Sequence, residues 1–521
     1  MQVPVAITTL FWVTTSYVFY ITISAFLTSR RNATKARELK CEEPPLERNR
    51  LPLGIDNLLR TLAADRAKQF PVDLIRRFEE VGTNTYRYQV LGARNFRTVD
   101  PKNIQAILAT QFSDFDLGPT RRGNFLPLLG AGIFTADGEH WKHSRAMIRP
   151  QFTRDQVSQL DLEETHVQNM MRSLEPSIGA DGWIPQVDLQ AYFFRLTLDS
   201  ATEFLFGQSI GSQLEHLSGH QTTKIGGSES KFAKAFDDGQ MGLATRARFQ
   251  DKFWLYDSKE FREACKIVHD FADYFVRLAL SKDLRKKDEE NKEQYIFLEA
   301  LAAETQDPIE LRSELLHVLL AGRDTTASHL GWIFYNLARD PARYKKLRDI
   351  ILADFGTYDH PKNITFSKLK DCKYLRYVND ESLRLYPVVP FNSRYANKDT
   401  TLPRGGGKDG NSPVFIPKGS TCDYSVFVMQ RRKDIWGPDA DEFKPERWEG
   451  RKVGWEYLPF NGGPRVCIGQ QFALTEASYV TVRLLQRFDK MESLARDEVV
   501  LHNLTLTNCI ANGVNVRLHA A

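Results

Sequence analysis

The chain has 521 residues, of which 42% are hydrophobic and 26% are charged, a composition typical of a folded globular protein and not of a disordered or collagen-like one. Seventy basic residues against 66 acidic ones leave a net charge of +4, which is too small for this length to indicate nucleic acid as the main partner. Six scattered cysteines without a Cys-x-x-Cys pair argue against a disulfide scaffold or a structural zinc site, and favour a reducing compartment.

The first 29 residues carry no charged side chain and are rich in aliphatic and aromatic residues, enough to cross a bilayer core as a helix. Basic residues, beginning with Arg30 and Arg31, follow at once, and basic flanks prefer the cytosolic side. We therefore predict a single-pass anchor over 1–29 with the rest of the chain in the cytosol. A cleaved secretory signal is the alternative, but it would place its basic residues before the apolar run.

Residues 30–53 are predicted to be a basic flank followed by a hinge, since Glu42-Glu43-Pro44-Pro45 is stiffened by its prolines. Residues 86–99 have the pattern of two strands that turn near Gly92. Asp100-Pro101 is typical of a helix N-cap followed by proline in the first turn.

Long helical segments dominate the rest of the chain, and their predicted positions are roughly 136–148, 153–174, 187–206, 259–280, 310–339 and 340–355. Residues 211–230 form a polar interruption, and the charge run 282–294 is interpreted as a solvated helical link. The glycine-rich stretch 404–413 is predicted to be a surface loop. Because no internal repeat or clean break divides the body, we predict a mainly α fold with small β-sheets, in which residues 54–521 form a single large domain.

The strongest chemical signal is Phe460-Asn-Gly-Gly-Pro-Arg-Val-Cys-Ile-Gly469, directly before a helical run. At a helix N-terminus, free backbone N–H groups and the helix dipole stabilise the thiolate of Cys467. The glycines let the backbone approach a flat partner, and Arg465 supplies a cation. A lone thiolate of this kind suits haem iron. The alternative is a buried structural cysteine, but the five fixed positions would coincide by chance in on the order of one in ten thousand such chains.

With this motif, the sequence resembles the cytochrome P450 family of haem-thiolate monooxygenases. The resemblance implies a P450-type helical domain that binds haem b, with Cys467 as the axial ligand of the iron. For Trp141, plain core packing is the alternative to contact with a haem propionate. The residues that the resemblance assigns to cofactor binding are Cys467, Arg465, Phe460, Trp141, Arg145, Arg394 and Gly469.

Two further motifs match the family. Glu381-Ser-Leu-Arg384 and, further on, Pro445-Glu-Arg447-Trp correspond to a buried ion network with a structural role. Ala321-Gly-Arg-Asp-Thr-Thr326 lies inside a predicted helix and corresponds to the oxygen-activating motif. Because reduction of dioxygen consumes protons, a hydroxyl and a carboxylate are needed as a relay, and the resemblance assigns this catalytic role to Thr325 and Asp324. A solvent-facing polar turn is the alternative, but it would leave the surrounding leucines unexplained.

A narrower likeness, from about Pro44 to Gly513, relates the chain to the fungal n-alkane and fatty-acid hydroxylases. It is carried by residues 112–118, 126–135, 144–152, 385–394 and 400–407. It implies hydroxylation of a hydrophobic small molecule, at the end of a fatty-acyl or alkane chain, in the endoplasmic reticulum membrane. Electrons would come from NADPH through a cytochrome P450 reductase, with cytochrome b5 as a further donor. The predicted docking face for an acidic reductase includes Lys142, Arg451 and Lys452.

The predicted substrate pocket is apolar. Val388, Val389 and Phe391 are expected to narrow it near the iron, and Arg121 or Arg122 is a candidate partner for a substrate carboxylate. The predicted pocket residues are Phe115, Phe125, Leu129, Ile133, Ala321, Val389, Phe391 and Ile510.

Three alternatives remain at this point. One is a monooxygenase of a fungal secondary-metabolite pathway that oxidises a polyketide or terpenoid. The second is a haem-thiolate isomerase or dehydratase without external electrons, against which the intact Asp324 and Thr325 argue. The third is a non-catalytic membrane haem-thiolate protein, against which the apolar segment 112–134 argues, since such a protein needs no substrate pocket.

Overall fold

A computed structural model describes residues 5–153, 160–215, 217, 229–281, 296–495 and 499–521. The chain begins with helix α1 (Val5–Glu38). Within it, Phe11–Glu38 is long and apolar enough to cross a membrane and is not buried against the rest of the protein; no other helix in the described ranges qualifies. The helix continues nine residues past the predicted end of the anchor at residue 29, so the first part of the basic flank is helical. Lys35 forms an ion pair with Asp399, which ties the end of α1 to the body.

The N-terminal part of the body contains α2 (Ile55–Arg66), α3 (Phe70–Val81), β1 (Thr85–Val90) and β2 (Ala93–Thr98). The two strands form an antiparallel hairpin that turns at Leu91 and Gly92, both with positive φ, as predicted. Helix α4 (Pro101–Gln105) follows. The carboxylate of Asp100 accepts hydrogen bonds from the backbone N–H groups of Lys102 and Asn103, at 2.8 and 3.3 Å, so the predicted N-cap is confirmed.

Helices make up most of the remaining body. They are α5 (Gly118–Leu129), α6 (Gly138–Ile148), α7 (Asp161–Leu174), α8 (Leu189–Phe206), α9 (Glu229–Arg248), α10 (Lys259–Leu280), α11 (Phe297–Glu304), α12 (Pro308–Leu337), α13 (Pro341–Phe355), α14 (Phe366–Asp371), α15 (Lys373–Leu385), α16 (Val426–Met429), α17 (Lys433–Trp436) and α18 (Gln470–Arg487). The predicted segment 259–280 matches α10 at both ends. Part of the predicted helix 153–174, much of the polar stretch 211–230 and the whole charge run 282–294 lie outside the described residues.

Small sheets flank these helices. Their further strands are β3 (Phe115–Asp116), β4 (Trp183–Asp188), β5 (Phe391–Ala396), β6 (Thr400–Gly406), β7 (Ser412–Ile416), β8 (Thr421–Ser425), β9 (Phe488–Ser493), β10 (His502–Leu504), β11 (Asn508–Ile510) and β12 (Asn515–Ala520). The largest sheet has the order β1-β2-β8-β5-β3, in which only β2 and β8 are parallel; a second has the order β4-β12-β9.

The prediction of a surface loop over 404–413 is wrong at both ends of this range. Strand β6 continues to Gly406 and β7 starts at Ser412, so only the tip between them is a loop. The two strands pair with each other from Thr400 with Ile416 to Gly406 with Ser412, with an irregular step between Leu402 and Gly406. At this step Asn103 donates to the carbonyl of Arg404 at 2.8 Å and accepts from its N–H at 2.9 Å.

Helix α12 runs through the middle of the body. It starts where the carboxylate of Asp307 accepts from the N–H of Ile309 at 2.9 Å, with Pro308 in the first turn. Between Ser313 and Leu337 every residue is buried except Ala321, Gly322 and Thr325. The helix packs against α8, α10 and α18, which brings its central turn close to the segment that precedes α18.

Candidate functional site

Cys467 lies in the loop between the 3-10 turn Gly463–Arg465 and α18. Its backbone N–H donates to the carbonyl of Phe460 at 3.0 Å, which closes the loop. The side chain keeps solvent-accessible surface, yet surrounding protein raises the pKa of the thiol by desolvation, while the N–H of Gly469 and the charge of Arg145 lower it. A side chain that is enclosed and still accessible lines an interior space, as a ligand of a bound group must.

The glycines of this loop are required by protein contacts. A Cβ on Gly463, whose φ is +67°, would lie 1.9 Å from the carbonyl oxygen of Leu108, and a Cβ on Gly462 would lie 2.7 Å from the ring of Trp455. At Gly469 the nearest atom, on Phe152, would be 3.6 Å away, an ordinary contact. Gly462 and Gly463 therefore fit the loop onto its neighbours, in contrast to the prediction that they make room for a flat partner.

Three arginines converge near this loop. Burial, together with the charge of Arg394, lowers the pKa values of Arg121 and Arg465 to about 10. Arg465 forms an ion pair with Asp137 at 2.7 Å, and the Nε atoms of Arg394 and Arg465 are buried without a hydrogen-bond partner. The three arginines carry three positive charges and Asp137 carries one negative charge, so the net charge of these four side chains is +2. The two carboxylates of a haem fit this excess and the unused donors.

Helix α6 brings two predicted haem contacts to the same loop. Arg465 lies over the ring of the buried Trp141, at 4.3 Å from its centroid. Arg145, one turn further along, donates to the carbonyl of Val466 at 3.1 Å. The structure thus groups Trp141 and Arg145 with Arg465 and Cys467, although they lie more than 300 positions apart in the sequence.

The central turn of α12 presents Ala321 and Thr325 on one accessible face. The hydroxyl of Thr325 donates to the carbonyl of Ala321 at 2.5 Å, the back-bond expected of a threonine inside a helix. His317, one turn before Ala321, accepts from the N–H of Phe134 at 3.2 Å, and burial lowers its pKa to about 4, with a smaller contribution from Arg121. Because Arg121 donates to the carbonyl of the same Phe134 at 3.1 Å, this face of α12 lies close to the arginine cluster.

Asp324 points away from that face. Its carboxylate is buried at an ion-pair distance of 3.2 Å from Arg323, with neither oxygen in a hydrogen bond of good geometry. Burial raises the pKa of Asp324 to about 6, against the lowering effect of Arg323. Arg323 also binds Asp237 of α9 at 2.6 Å, and the side chain of Asp237 is 58% exposed. The carboxyl of Asp324 is therefore linked to solvent through this chain of ion pairs.

Glu381, Arg384 and Arg447 contact each other in a buried network. Arg384 donates to both oxygens of Glu381, at 2.8 and 2.9 Å, and Arg447 donates to one of them at 3.2 Å. The indole of Trp448 and the backbone N–H of Lys444 complete the ring of donors around Glu381, at 3.0 and 2.9 Å. Arg384 also donates to the carbonyls of Gln430 and Ala440, so the network joins α15 to the segment that leads to the cysteine loop.

The predicted pocket residues divide into two groups. Phe125, Ile133, Ala321 and Phe391 are partly accessible, and Val389 is exposed. The structure places the remaining three in the hydrophobic core, where they have almost no accessible surface to offer a cavity: Phe115, Leu129 and Ile510 are 2%, 0% and 4% exposed. These three assignments are corrected, because an apolar side chain packs equally well in a core and in a pocket wall and its sequence does not distinguish them.

Arg121 is the residue whose position sequence reasoning missed. Its Nη1 donates to Asn392 at 2.8 Å and its Nε to the carbonyl of Phe134 at 3.1 Å, beside the arginine cluster and not at a separate substrate site. Arg122 is exposed. No local signal marks Arg121, because the cluster forms only when α5, β5 and the cysteine loop meet.

The comparisons with known proteins agree with this geometry. The family model described as Cytochrome P450 matches residues 51–505. Cytochrome P450 monooxygenase g430 of a Fusarium species is 75% identical over 521 residues, which covers 99% of this chain and 91% of the relative. Cytochrome P450 monooxygenase alt2 of Alternaria solani is 47% identical, covering 91% and 90%. Cytochrome P450 52A13 of Debaryomyces hansenii is also 47% identical, covering 85% of each chain. The chain therefore belongs to the cytochrome P450 family of monooxygenases, which implies haem held by a cysteine thiolate.

Proposed function

We propose that this monooxygenase hydroxylates a long aliphatic chain, at or near its terminal carbon, as a membrane-anchored enzyme of the endoplasmic reticulum. The observation that carries the proposal is the interior site that Cys467 and the arginine cluster form beside the accessible face of Ala321 and Thr325. The resemblance to fungal n-alkane and fatty-acid hydroxylases and the apolar helix α1 support the aliphatic substrate. A substrate of this kind partitions into lipid, from which an anchored enzyme can take it up.

The residues of the interior site have separate roles in this proposal. The thiolate of Cys467 binds the iron, and the guanidinium groups of Arg394 and Arg465 bind the propionates, with Arg121 as a third partner. Trp141 and Arg145 hold the cysteine loop in place. Haem, when bound, supplies the iron chemistry that activates dioxygen.

Protons reach the site through Asp324 and Thr325. A carboxyl whose pKa is about 6 exchanges its proton readily near neutral pH, and the ion pair of Arg323 with the exposed Asp237 holds it near the solvent side of α9. Arg323 stays protonated, so the proton moves by rotation of the Asp324 carboxyl and not through the guanidinium. The hydroxyl hydrogen of Thr325 is donated to the carbonyl of Ala321, so Oγ1 accepts a hydrogen bond on the accessible face and donates a proton there when this back-bond opens. We propose that Asp324 recharges Thr325 with protons from the α9 side.

Terminal oxidation requires a narrow pocket, because internal C–H bonds are weaker and would react first in a wide one. Phe391 and Val389 at the start of β5 are proposed to supply this constriction, with Phe125 and Ile133 as further apolar wall. We propose a chain of about twelve to eighteen carbons, since each buried methylene adds about 0.8 kcal/mol of binding free energy, roughly a fourfold gain in affinity.

Electrons come from NADPH through a flavoprotein reductase, with cytochrome b5 as a further donor, in this proposal. The sequence carries no flavin or nicotinamide fingerprint of its own. The basic residues at the C-terminal end of α1, beginning with Arg30 and Arg31, support a cytosolic catalytic domain and a cytosolic reductase.

The experiment is a binding series of n-alkanes and fatty acids of increasing length, scored by the substrate-induced shift of the haem spectrum and followed by product analysis with reductase present. We expect affinity to rise with length and the product to be hydroxylated at or next to the terminal carbon. Tight binding of a polycyclic, polyketide or terpenoid compound, without dependence on chain length, would contradict the proposal and favour a secondary-metabolite pathway.

A further inference from the structure

A small enclosed cavity lies on the side of the largest sheet where α2, α3 and the end of α9 cover it. Its volume is about 80 Å³, which accommodates two or three waters at roughly 30 Å³ each, or a carboxylate and its first methylene. Its apolar wall includes Leu58, Phe70, Leu74 and Val90, and its polar wall includes Arg77, Arg97, Arg248 and Asp423.

Phe391 connects this cavity to the interior site. It lines the cavity and contacts the ring of Phe70, with 5.4 Å between the centroids. It also stands three residues before Arg394 on β5, a separation of about 10 Å along a strand. Since side chains alternate along a strand, Phe391 and Arg394 project from opposite faces of β5. Phe391 is the first residue of this strand, so the cavity lies next to the interior site around this end of β5, beside a residue that the proposed function places in the substrate pocket.

Two of the three cavity arginines are fully engaged with protein partners. Arg77 forms an ion pair with Asp73 at 2.7 Å and donates to Thr61 at 3.1 Å. Arg97 donates to Tyr86 at 3.1 Å and to Asp423 at 3.3 Å. Asp423 in turn accepts from the hydroxyl of Tyr88 at 2.5 Å, so the one carboxylate on the cavity wall is already bound by donors.

Arg248 has donor capacity to spare. It is 7% exposed, and its Nε is buried without a hydrogen-bond partner. Its Nη2 is shared between Asp65 at 2.9 Å and the carbonyl of Leu504 at 3.1 Å, and the guanidinium lies 5.2 Å from the centroid of Phe70. A buried guanidinium with an unused donor favours an anionic partner, and its planar fork matches a carboxylate.

We infer that this cavity binds the carboxylate of a fatty acid, with Arg248 as the cation that recognises it and the hydrocarbon chain extending past Phe391 toward the haem. The inference rests on the proposed function and narrows it, because it selects fatty acids over alkanes. An amine has no acceptor for the unused N–H of Arg248 when it is protonated, and an alkane would leave the Nε of Arg248 without a partner.

The test compares a fatty acid, its methyl ester and the n-alkane of equal carbon number, each titrated into the full-length haem protein and scored by the spectral shift. We expect the wild type to bind the acid at least tenfold more tightly than the ester, since a hydrogen bond to a charged group is worth about 1.5–3 kcal/mol. Arg248→Gln should lower the affinity for the acid by about tenfold or more and leave the ester unchanged.

Asp65→Asn separates ligand recognition from a structural role. This substitution also breaks the Arg248–Asp65 ion pair but leaves the cation in place, so affinity for the acid should be retained or increased. A loss equal to that of Arg248→Gln would overturn the inference, as would an acid-to-ester ratio that does not depend on Arg248. If Arg248→Gln fails to fold, as judged by the reduced carbon-monoxide spectrum, Arg248→Lys and Asp65→Asn decide the question by the same ratio.

The same titrations distinguish failure of the carboxylate site from failure of the proposed substrate class. Equal shifts with acid, ester and alkane in every variant would overturn the carboxylate site and leave the aliphatic substrate class intact. No shift with any of the three compounds in the wild type would overturn the proposed substrate class and, with it, the inference.

Discussion

At the scale of single residues, opposing effects act on the pKa of the Cys467 thiol. Desolvation raises its pKa, whereas the N–H of Gly469 and the charge of Arg145 lower it. Neither local effect alone produces the thiolate, and a bound iron cation supplies the remaining stabilisation. The loop and the metal are therefore expected to depend on each other.

Replacement of Cys467 tests this assignment. Cys467→Ala should lose haem or its thiolate spectrum, and Cys467→His should move the reduced carbon-monoxide band away from the thiolate position, because the donor sulfur is gone. The measurement is the carbon-monoxide difference spectrum of reduced protein. Cys422→Ala, which removes another buried cysteine, is the matched control. Dependence of the band on Cys422 or any other cysteine would refute the assignment.

Thr325 and its neighbour Thr326 offer a paired comparison on one helix turn. Thr325 lies on the accessible face of α12, whereas Thr326 is buried and bonds the carboxyl of Glu476, whose pKa is raised to about 7 by burial against the lowering effect of hydrogen bonds from Ser200 and Thr326. Thr325→Ala should bind haem and substrate but release peroxide in place of product, since the ordered hydroxyl is lost. Thr326→Ala should keep NADPH consumption coupled to product, and Asp324→Asn should slow turnover with less uncoupling. Unchanged coupling in Thr325→Ala would remove the relay role.

At the scale of elements, Glu381 joins α15 to the segment before the cysteine loop. Its two oxygens accept from four groups, so Glu381→Gln leaves the fully buried Arg384 without its counter-charge, while Arg447 keeps its ion pair with Asp439 at 2.7 Å. We expect a loss of about 3–5 kcal/mol in the free energy of unfolding, and loss of haem at lower denaturant concentration. Glu492→Gln, which removes an exposed ion pair with Arg517, should cost no more than about 1 kcal/mol. Similar effects of the two substitutions would contradict this role for Glu381.

Glu314 on α12 makes the packing of the segment before α6 depend on pH. Its side chain has no exposed surface and packs closely against Gly132, since a Cβ added to that glycine would lie 3.0 Å from both carboxylate oxygens. Burial raises the pKa of Glu314 to about 7, with small effects from Ser144, Glu310 and His143. Because the folded pKa exceeds the unfolded value, the protonated carboxyl contributes stability that is complete below about pH 4.5 and is lost as pH rises through 7.

Glu314→Gln should therefore become more stable than the wild type as pH rises, by up to roughly 3 kcal/mol between pH 4.5 and 7. Denaturant unfolding of both proteins across this range measures the difference between their free energies of unfolding. Other buried acids contribute equally to both proteins, so their contributions cancel in this difference. Glu139→Gln, at an exposed position on α6, should give a difference that does not vary with pH. If the difference between wild type and Glu314→Gln does not change with pH, the carboxyl of Glu314 in the wild type is ionised throughout this range.

At the scale of the whole molecule, the proposed reductase would dock where the cysteine loop approaches the surface. Lys142 and Lys452 are exposed, whereas the guanidinium of Arg451 lies 4.1 Å from the centroid of Trp436 and donates to the carbonyl of Ile435. Of the three predicted docking residues, the two lysines are therefore exposed, and Lys142 forms an ion pair with Glu139 at 2.7 Å.

Reductase-supported turnover should fall with ionic strength, because the screening length is about 10 Å at 0.1 M salt. Lys142→Ala and Lys452→Ala should weaken this salt dependence and raise the KM for reductase. Turnover driven by an organic peroxide needs no reductase and should be insensitive to salt in all variants. If reductase-supported turnover shows the same insensitivity, the basic face is not the docking site.

Local signals in the sequence determined the elements whose hydrogen bonds are local. The cap at Asp100 and the bounds of α10 depend on residues within a few positions of each other, and they were predicted to the residue. The apolar stretch of α1 was also predicted, but the helix ends nine residues later than the predicted anchor. The motif around Cys467 likewise identified the family, because helix start, thiol and glycines are contiguous. Gly462 and Gly463, however, pack closely against Trp455 and Leu108, and no local pattern predicts these contacts.

Only the tertiary structure decided which distant side chains meet. Strands β6 and β7 pair with each other where a glycine-rich loop was predicted, and Asn103, some 300 positions away, binds the backbone of Arg404 at the irregular step of the pair because the fold brings it there. Arg121 joins Arg394 and Arg465 for the same reason, and Phe115, Leu129 and Ile510 lie in the core although their apolar character suited a pocket equally well. Hydrophobicity along the chain determines that a side chain is buried, but chain topology determines what it is buried against.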